Sequence, residues 1–270
     1  LGGIKLSPTR RVSDVEYINI STTGNAIDYG DLVASASQGA GLGSRTRAVA
    51  GGGSPGSPSG TNNIDYHEFA STGTFNDFGD FATTGFERTA LASSTRGVFM
   101  GRTVAPNNYN EIEYITIAST GGAKDFGDLA NNSSGAGAAG NQTRAIHCGG
   151  ANPNYSICEY VQIATAGNSS DFGDLVHDIS NNRGGNCGSA TRGIIQGSHP
   201  SGNSIQYITI STLGNAVDFG DRTVAKSQVA SMSSTTRAVF GGAGEVDTTV
   251  IDYVQIMSTG NAIDFGDITE

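Results

Sequence analysis

Six aromatic-Gly-Asp cores, centred on Tyr29, Phe78, Phe126, Phe172, Phe219 and Phe265, recur along the 270 residues. Each follows a tyrosine that opens an apolar alternation. These tyrosines, Tyr17, Tyr66, Tyr114, Tyr160, Tyr207 and Tyr253, are spaced by 49, 48, 46, 47 and 46 residues. A period of this size marks a chain built from stacked supersecondary units. Residues 1–270 therefore read as one repeat domain.

The unit divides into four short strands. In the cleanest copy the first runs roughly from Gln228 to Met232 and the second from Arg237 to Phe240, ended by Gly241-Gly242, which permit a bend that other residues resist. The third covers Val250 to Met257, where apolar and polar residues alternate with period two. A Ser-Thr-Gly-Asn-Ala turn leads to the fourth, centred on Phe265. The second strand begins at Arg47, Arg96, Arg144, Arg192 and Arg237, one arginine fewer than the tyrosines. The first copy lacks its first half, because Leu1-Gly2-Gly3 reads as the tail of a second strand. A start in mid-pattern suggests processing or a fragment.

A sheet of about 47 residues cannot bury both faces alone, and no helical pattern is present to cover one. Sheets must stack, and four short twisted strands favour radial stacking, which leaves only short protected edges. The fold class expected is all-β: a β-propeller of four-stranded blades. Six copies of the outer strand pair predict six blades, the first incomplete at the N-terminus. Five blades with an overhanging pair, or a seventh blade in a longer chain, are the alternatives.

Composition agrees and removes several functions. Glycine is abundant, at 40 residues, and only 15% of residues are charged, as short strands joined by glycine turns require. The formal charge is -10 and the basic residues are scattered singly, so the concentrated positive field of a nucleic-acid groove is absent. No apolar run approaches a membrane span, so no membrane insertion is expected. Cys148, Cys158 and Cys187 match no closed zinc pattern. Cys148 and Cys158 are set on adjacent strands, where either a bridge or two small buried hydrophobes would fit.

The double glycine after a short apolar strand, the tyrosine about a dozen residues later and an aromatic followed by leucine, as in Phe126-Gly-Asp-Leu129, resemble the kelch family of β-propellers. The resemblance covers almost all of the chain. It departs where kelch repeats carry tryptophan, of which there is none here, and at Gly101 and Gly197, which lack a paired glycine. The fuller wording, Tyr-Ile-Thr-Ile with Ser-Thr-Gly-Asn-Ala and Asp-Phe-Gly-Asp-Leu, is similar to repeats in structural or tail-associated proteins of marine bacteriophages, cyanophages above all. That resemblance implies an interaction scaffold in a virion or another extracellular assembly, with other protein subunits or a surface glycan or receptor as partners.

The paired aspartates attract attention first: Asp28/Asp31, Asp77/Asp80, Asp125/Asp128, Asp171/Asp174, Asp218/Asp221 and Asp264/Asp267. Two carboxylates so spaced could hold calcium with help from carbonyl oxygens; otherwise no cofactor is expected. The economical reading is structural. The first aspartate bonds the Gly-Asp turn. The second, Asp31, Asp80, Asp128, Asp174, Asp221 or Asp267, meets a repeat arginine bidentately. The repeat aromatics then form the blade-to-blade core, near-identity between copies arguing for packing rather than for a sugar stack. Binding is expected where copies differ, in residues 54–63, 103–110, 151–156, 196–203 and 243–249, whose only aromatics are Tyr109 and Tyr155.

The histidines His67, His147, His177 and His199 fall in different phases of the repeat, with His67 expected to point outward from a third strand. No Ser/His/Asp set has a nucleophile-elbow context, and Gly39–Gly43 lacks the lysine and helix of a phosphate loop. The chain reads as a non-enzymatic binding module. The alternatives are a glycan hydrolase or lyase on a propeller, which would need convergent acids that break the repeat, and a cellular kelch-type adaptor.

Overall fold

The computed structural model describes residues 3–6, 9–56, 60–151, 155–180, 187–197, 199–200, 202–225, 228–242 and 249–268. Side chains of residues 3–10, 155 and 199–200 lie outside the description. All regular structure among the described residues is β. Strands β1 (Gly3–Leu6) and β2 (Thr9–Val12) pair with each other, as do β3 (Asp14–Tyr17) and β4 (Ile27–Asp31). The first blade is β5 (Ala40–Gly43), β6 (Arg47–Gly51), β7 (Thr61–Glu68) and β8 (Asn76–Gly85). The second is β9 (Thr89–Ala92), β10 (Arg96–Val104), β11 (Asn107–Thr116) and β12 (Lys124–Asp128).

The third blade comprises β13 (Gly137–Gly140), β14 (Arg144–Cys148), β15 (Tyr155–Gln162) and β16 (Ser170–Ser180). The fourth blade has β17 (Arg192–Gln196), then β19 (Ser204–Thr209) and β20 (Val217–Asp221). The intervening β18 (His199–Pro200) joins the third blade by pairing with β16. The fifth is β21 (Ala230–Ser233), β22 (Arg237–Gly241), β23 (Val250–Gln255) and β24 (Ile263–Asp267). Every pairing is antiparallel.

The expectation of six blades is thereby corrected: the described residues form a propeller of five. The repeat count follows the outer strand pair, which occurs six times. In the first copy that pair stands alone as the two-stranded sheet β3–β4, and β1–β2 form their own sheet instead of flanking it. This hairpin closes the ring. Gly24 N–H donates to Phe265 O at 3.0 Å and Ala26 N–H to Asp267 O at 3.0 Å.

Inner strands are small-residue strands because wedges converge there. Leu42 of β5 packs on Gly97 of β10, Leu91 of β9 on Gly140 of β13, and Ala139 of β13 on Gly193 of β17. The main cores lie between blades. One joins Leu91, Val98, Met100, Ile112 and Phe126 of the second blade to Ala145, Val161 and Ile163 of the third. The aromatics Phe78, Phe126, Phe172, Phe219 and Phe265 are all buried, each edge-on to the tyrosine of its own blade.

Register explains why this aromatic is followed by glycine. In all six copies the outer strand pair slips by one residue at the aromatic; in the second blade Glu113 opposes Asp125 and Ile112 opposes Gly127, leaving Phe126 as the extra residue. The bulge turns the ring inward, and the next residue takes φ between +139° and +147°, open to glycine alone at low cost.

Candidate functional site

Because neighbouring strands are antiparallel, the first-to-second and third-to-fourth connections emerge on one face. The second-to-third loops and the links between blades emerge on the other. The repeated residues gather on the first face and the variable ones on the second.

The first face is a chain of junctions. At each, the bulged strand lends two carbonyls to the next copy: Gly121 N–H donates to Phe78 O at 2.7 Å and Ala123 N–H to Asp80 O at 2.8 Å, and the same pair recurs at every junction. Asn25, Asn168, Asn215 and Asn261 each accept from the amide of the preceding copy's second aspartate, at 3.0–3.2 Å.

The second aspartates Asp31, Asp80, Asp128, Asp174, Asp221 and Asp267 therefore serve the junction through their main chain. Their side chains are exposed or half-buried, and Asp31 and Asp267 accept from Ser13 and Thr249. Among the described residues none pairs with a repeat arginine, so that expectation is corrected. Each arginine instead lies over the tyrosine of its own blade, 4.2–4.7 Å from the ring centre. It then donates to a carbonyl across the junction: Arg47 to Ile117, Arg96 to Ile163, Arg144 to Ile210, Arg192 to Ile256 and Arg237 to Ile20, at 2.6–3.2 Å. The stacked ring directs the planar guanidinium along the face, where a carbonyl of the next copy lies in its path; Arg47 also pairs with the Glu68 carboxylate of its own blade. The first-aspartate reading holds at Asp77, whose carboxylate accepts from Gly79 N–H at 3.2 Å. Among the described residues no three His, Cys, Asp or Glu side chains converge as metal ligands.

A second set of junction residues escaped the sequence reading. The residue before each blade tyrosine, Asp65, Glu113, Glu159, Gln206 or Asp252, is buried and reaches the preceding copy. Asp65 accepts from Val33 N–H, Glu113 from Ala82 N–H at 2.8 Å, Glu159 from Ala130 N–H at 3.0 Å, Gln206 from Val176 N–H at 2.6 Å and Asp252 from Thr223 Oγ1. The signal was available, since these positions recur with the tyrosines. Polar residues in an alternating strand face solvent when one face of the sheet is open, but a blade stacked on both faces has no solvent side. His67 corrects the same assumption: it is buried, with Nδ1 2.9 Å from Tyr29 Oη. His147 is buried too, Nε2 lying 3.0 Å from Ser133 Oγ, and burial pulls its pKa down to about 4, so it is neutral at physiological pH. Cys148 and Cys158 oppose each other across β14–β15 as buried free thiols.

Gln206 makes a natural comparison for Glu159. Burial raises the Glu159 carboxyl; the Ala130 and Ser169 bonds oppose the rise and Asp171 adds to it. With the folded value above the unfolded one, this group's stabilisation is complete below the unfolded carboxyl range and is lost as pH climbs through the raised value. Glu159→Gln keeps the acceptor and removes the buried charge. It is expected to be neutral or to stabilise by up to about 1 kcal/mol at neutral pH, and to flatten the fall in stability as pH rises from about 4 to 7. Urea titrations across that range measure both.

The opposite face carries the loops. Residues 57–59, 152–154, 198, 201 and 243–248 of the expected binding segments lie outside the described residues, as does the Tyr155 side chain. Around Tyr109 the face is well built. Arg102 lies 4.0 Å over the Tyr109 ring and donates to Glu111 at 2.9 Å. Thr103 Oγ1, Asn108 Oδ1 and Ser134 Oγ are linked at 2.7–3.1 Å, and Asn108 Nδ2 donates to Ala151 O of the third blade at 2.7 Å. Between these blades Pro106, Asn107, Asn108, Tyr109 and Asn132 line a depression of about 430 Å³. No protein-family profile matches the chain, and no curated protein matches it in sequence, so membership of the kelch family and a tie to phage proteins rest on the wording of the repeat alone.

Proposed function

We propose that this propeller is a non-enzymatic binding scaffold that takes a glycan or protein ligand on its loop face, through the depression at Tyr109. One observation carries the reading: the repeated charged residues are occupied in junctions, while the side chains that break the repeat converge on the opposite face. Asn107 and Asn132 offer amide donors and acceptors, Asn108 being bonded to Thr103, Ser134 and Ala151, and an aromatic ring fixed by Arg102 supplies an apolar plate. No charged side chain lines the depression. Such a lining suits the hydroxyls and C–H faces of a neutral sugar. A partner within a virion or another extracellular assembly is the reading that the repeat wording supports.

Screening the intact chain against immobilised neutral glycans and extracellular proteins tests the proposal. Tyr109→Ala and Asn107→Ala are expected to weaken binding by about tenfold or more, as loss of a central aromatic anchor does, without moving the urea midpoint greatly. A ligand whose affinity ignores both changes would refute the site. Turnover of any ligand would refute the non-enzymatic reading.

A further inference from the structure

One cross-strand pair of the third blade departs from the repeat at both of its members. Where the second and third strands of a blade approach the loop face, the third strand carries Ile64, Ile112, Ile205 or Ile251. These oppose Gly51, Met100, Gln196 and Gly241 on the second strand, in the same order. In the third blade the two positions hold Cys158 and Cys148, facing each other across β14–β15. One small residue in place of isoleucine would be a matter of packing. Two thiols in a single opposed pair call for a chemical account.

The register suits a bridge. Gly149 N–H donates to Ile157 O at 2.8 Å, which makes that pair a hydrogen-bonded one and the next, Cys148 and Cys158, a non-bonded one. Non-bonded pairs of an antiparallel ladder bring their Cα atoms to about 4.5 Å and their side chains closest, inside the range of about 4.4–6.8 Å that a disulfide spans. Both cysteines are buried among Phe172, Leu175, Ile179 and Ile195, and their thiols interact. Burial first, and then Cys148, push the Cys158 thiol well above its ordinary pKa, so the closed pair holds little reactive thiolate. Reaction therefore proceeds through local opening at the end of β14. The residues that follow Cys148 are tied to the loop face: Gly150 N–H donates to Ile179 O and Ala151 N–H to Ser134 O, both at 2.8 Å, and Ala151 O accepts from Asn108.

We infer that Cys148 and Cys158 form a redox pair, which a small-molecule disulfide such as oxidised glutathione closes into a cross-strand bridge that fixes residues 149–151 to β15. The thiolate of one cysteine attacks a sulfur of the oxidant, forming a mixed disulfide and expelling one glutathione thiolate. The second cysteine, as thiolate, attacks the protein sulfur of that mixed disulfide and expels the other glutathione thiolate. One protein S–S bond forms and the oxidant's S–S bond breaks. The two protons from the cysteines end on the two expelled thiols, and two electrons pass from the protein to the oxidant. A reducing thiol in excess runs the exchange backwards. The thiols can be followed without any ligand, so the test is independent of the loop-face proposal.

The intact chain is incubated with oxidised glutathione at a pH of about 8, near the thiol range, quenched with acid, unfolded and alkylated. The free thiols are expected to fall from three to one, with peptide mapping placing the bridge between Cys148 and Cys158 and the alkyl group on Cys187. The rate should rise about tenfold per pH unit below the thiol range, as the thiolate fraction does. In the bridged protein amide exchange at Gly149 and Gly150 should slow several-fold. Cys158→Ile restores the residue of the other four blades and should abolish the bridge while keeping a cooperative urea transition. Three alkylatable thiols after prolonged incubation, a bridge that includes Cys187, or bridging only above the urea transition would overturn the inference. Unchanged exchange at Gly149 and Gly150 in the bridged protein would overturn the fixing of residues 149–151.

Discussion

Gly173→Ala is expected to destabilise the fold by about 4 kcal/mol, combining backbone strain with overpacking against an immovable neighbour. Gly173 follows the bulged Phe172 at φ +139°, and an added Cβ would sit 2.6 Å from the carbonyl carbon and oxygen of Gly214 in the fourth blade and 3.0 Å from Asn215 N. Those atoms are main chain and already fixed, since Gly214 N–H donates to Phe172 O at 2.8 Å and Ala216 N–H to Asp174 O at 2.7 Å. Relief would have to part the two blades. Gly214 is the control within the same junction: its φ is +143°, but a Cβ there meets nothing within 4 Å. Gly214→Ala should cost only the strain, about 2 kcal/mol. Urea unfolding of the two variants measures the difference. Equal midpoints would show that the close approach of the blades contributes nothing.

Glu113→Ala is expected to cost about 3–5 kcal/mol, the usual result of stranding one member of a buried ion pair. Arg88 Nη1 lies 2.8 Å from Glu113 Oε2, with side chains 0% and 6% exposed. Burial lowers the guanidinium pKa to about 10, with Glu113 the first group opposing the fall, so Arg88 remains charged at neutral pH. Its stacking 4.0 Å over Phe81 and its bond to Thr83 O at 2.8 Å hold it in place. Removing Glu113 leaves that charge in an apolar setting and also strips Ala82 N–H of its acceptor. The double variant Arg88→Met/Glu113→Leu should recover much of the loss, because apolar side chains of similar volume avoid the desolvation of both ions. The exposed pair Arg47–Glu68 sets the scale. With Glu68 47% exposed, Glu68→Ala should cost no more than about 1 kcal/mol. Denaturant titrations of the three variants separate the buried pair from the exposed one.

These expectations rest on features of unequal legibility. The four-strand unit could be read directly, because period two, paired glycines and short polar turns act over a few residues. In the fifth blade the strands expected at 228–232, 237–240, 250–257 and around 265 are β21, β22, β23 and β24, shifted by a residue or two at their ends. The burial of Phe126 and its counterparts could also be read, since six near-identical copies of an aromatic leave packing as the economical use. The partners of the charged residues could not. Arg144 was expected to meet an aspartate and meets Ile210 O, because the ring of Tyr160 aims it. Glu159 stands among the polar residues of an alternating strand and holds Ala130, because both faces of its blade are covered.

The sequence alone determined the unit, its strands, its turns and the bulge that joins an inward aromatic to a glycine. Each of these is set by local sterics and by the hydrophobic pattern along a dozen residues. Only the tertiary structure decided how many copies become blades, which polar side chains face another copy, and which face is left to the variable loops. Those outcomes depend on what a neighbouring copy presents across a junction. Thus β3–β4 has the same bulge as the blades but is a two-stranded sheet among the described residues, with Tyr17 and Phe69 exposed.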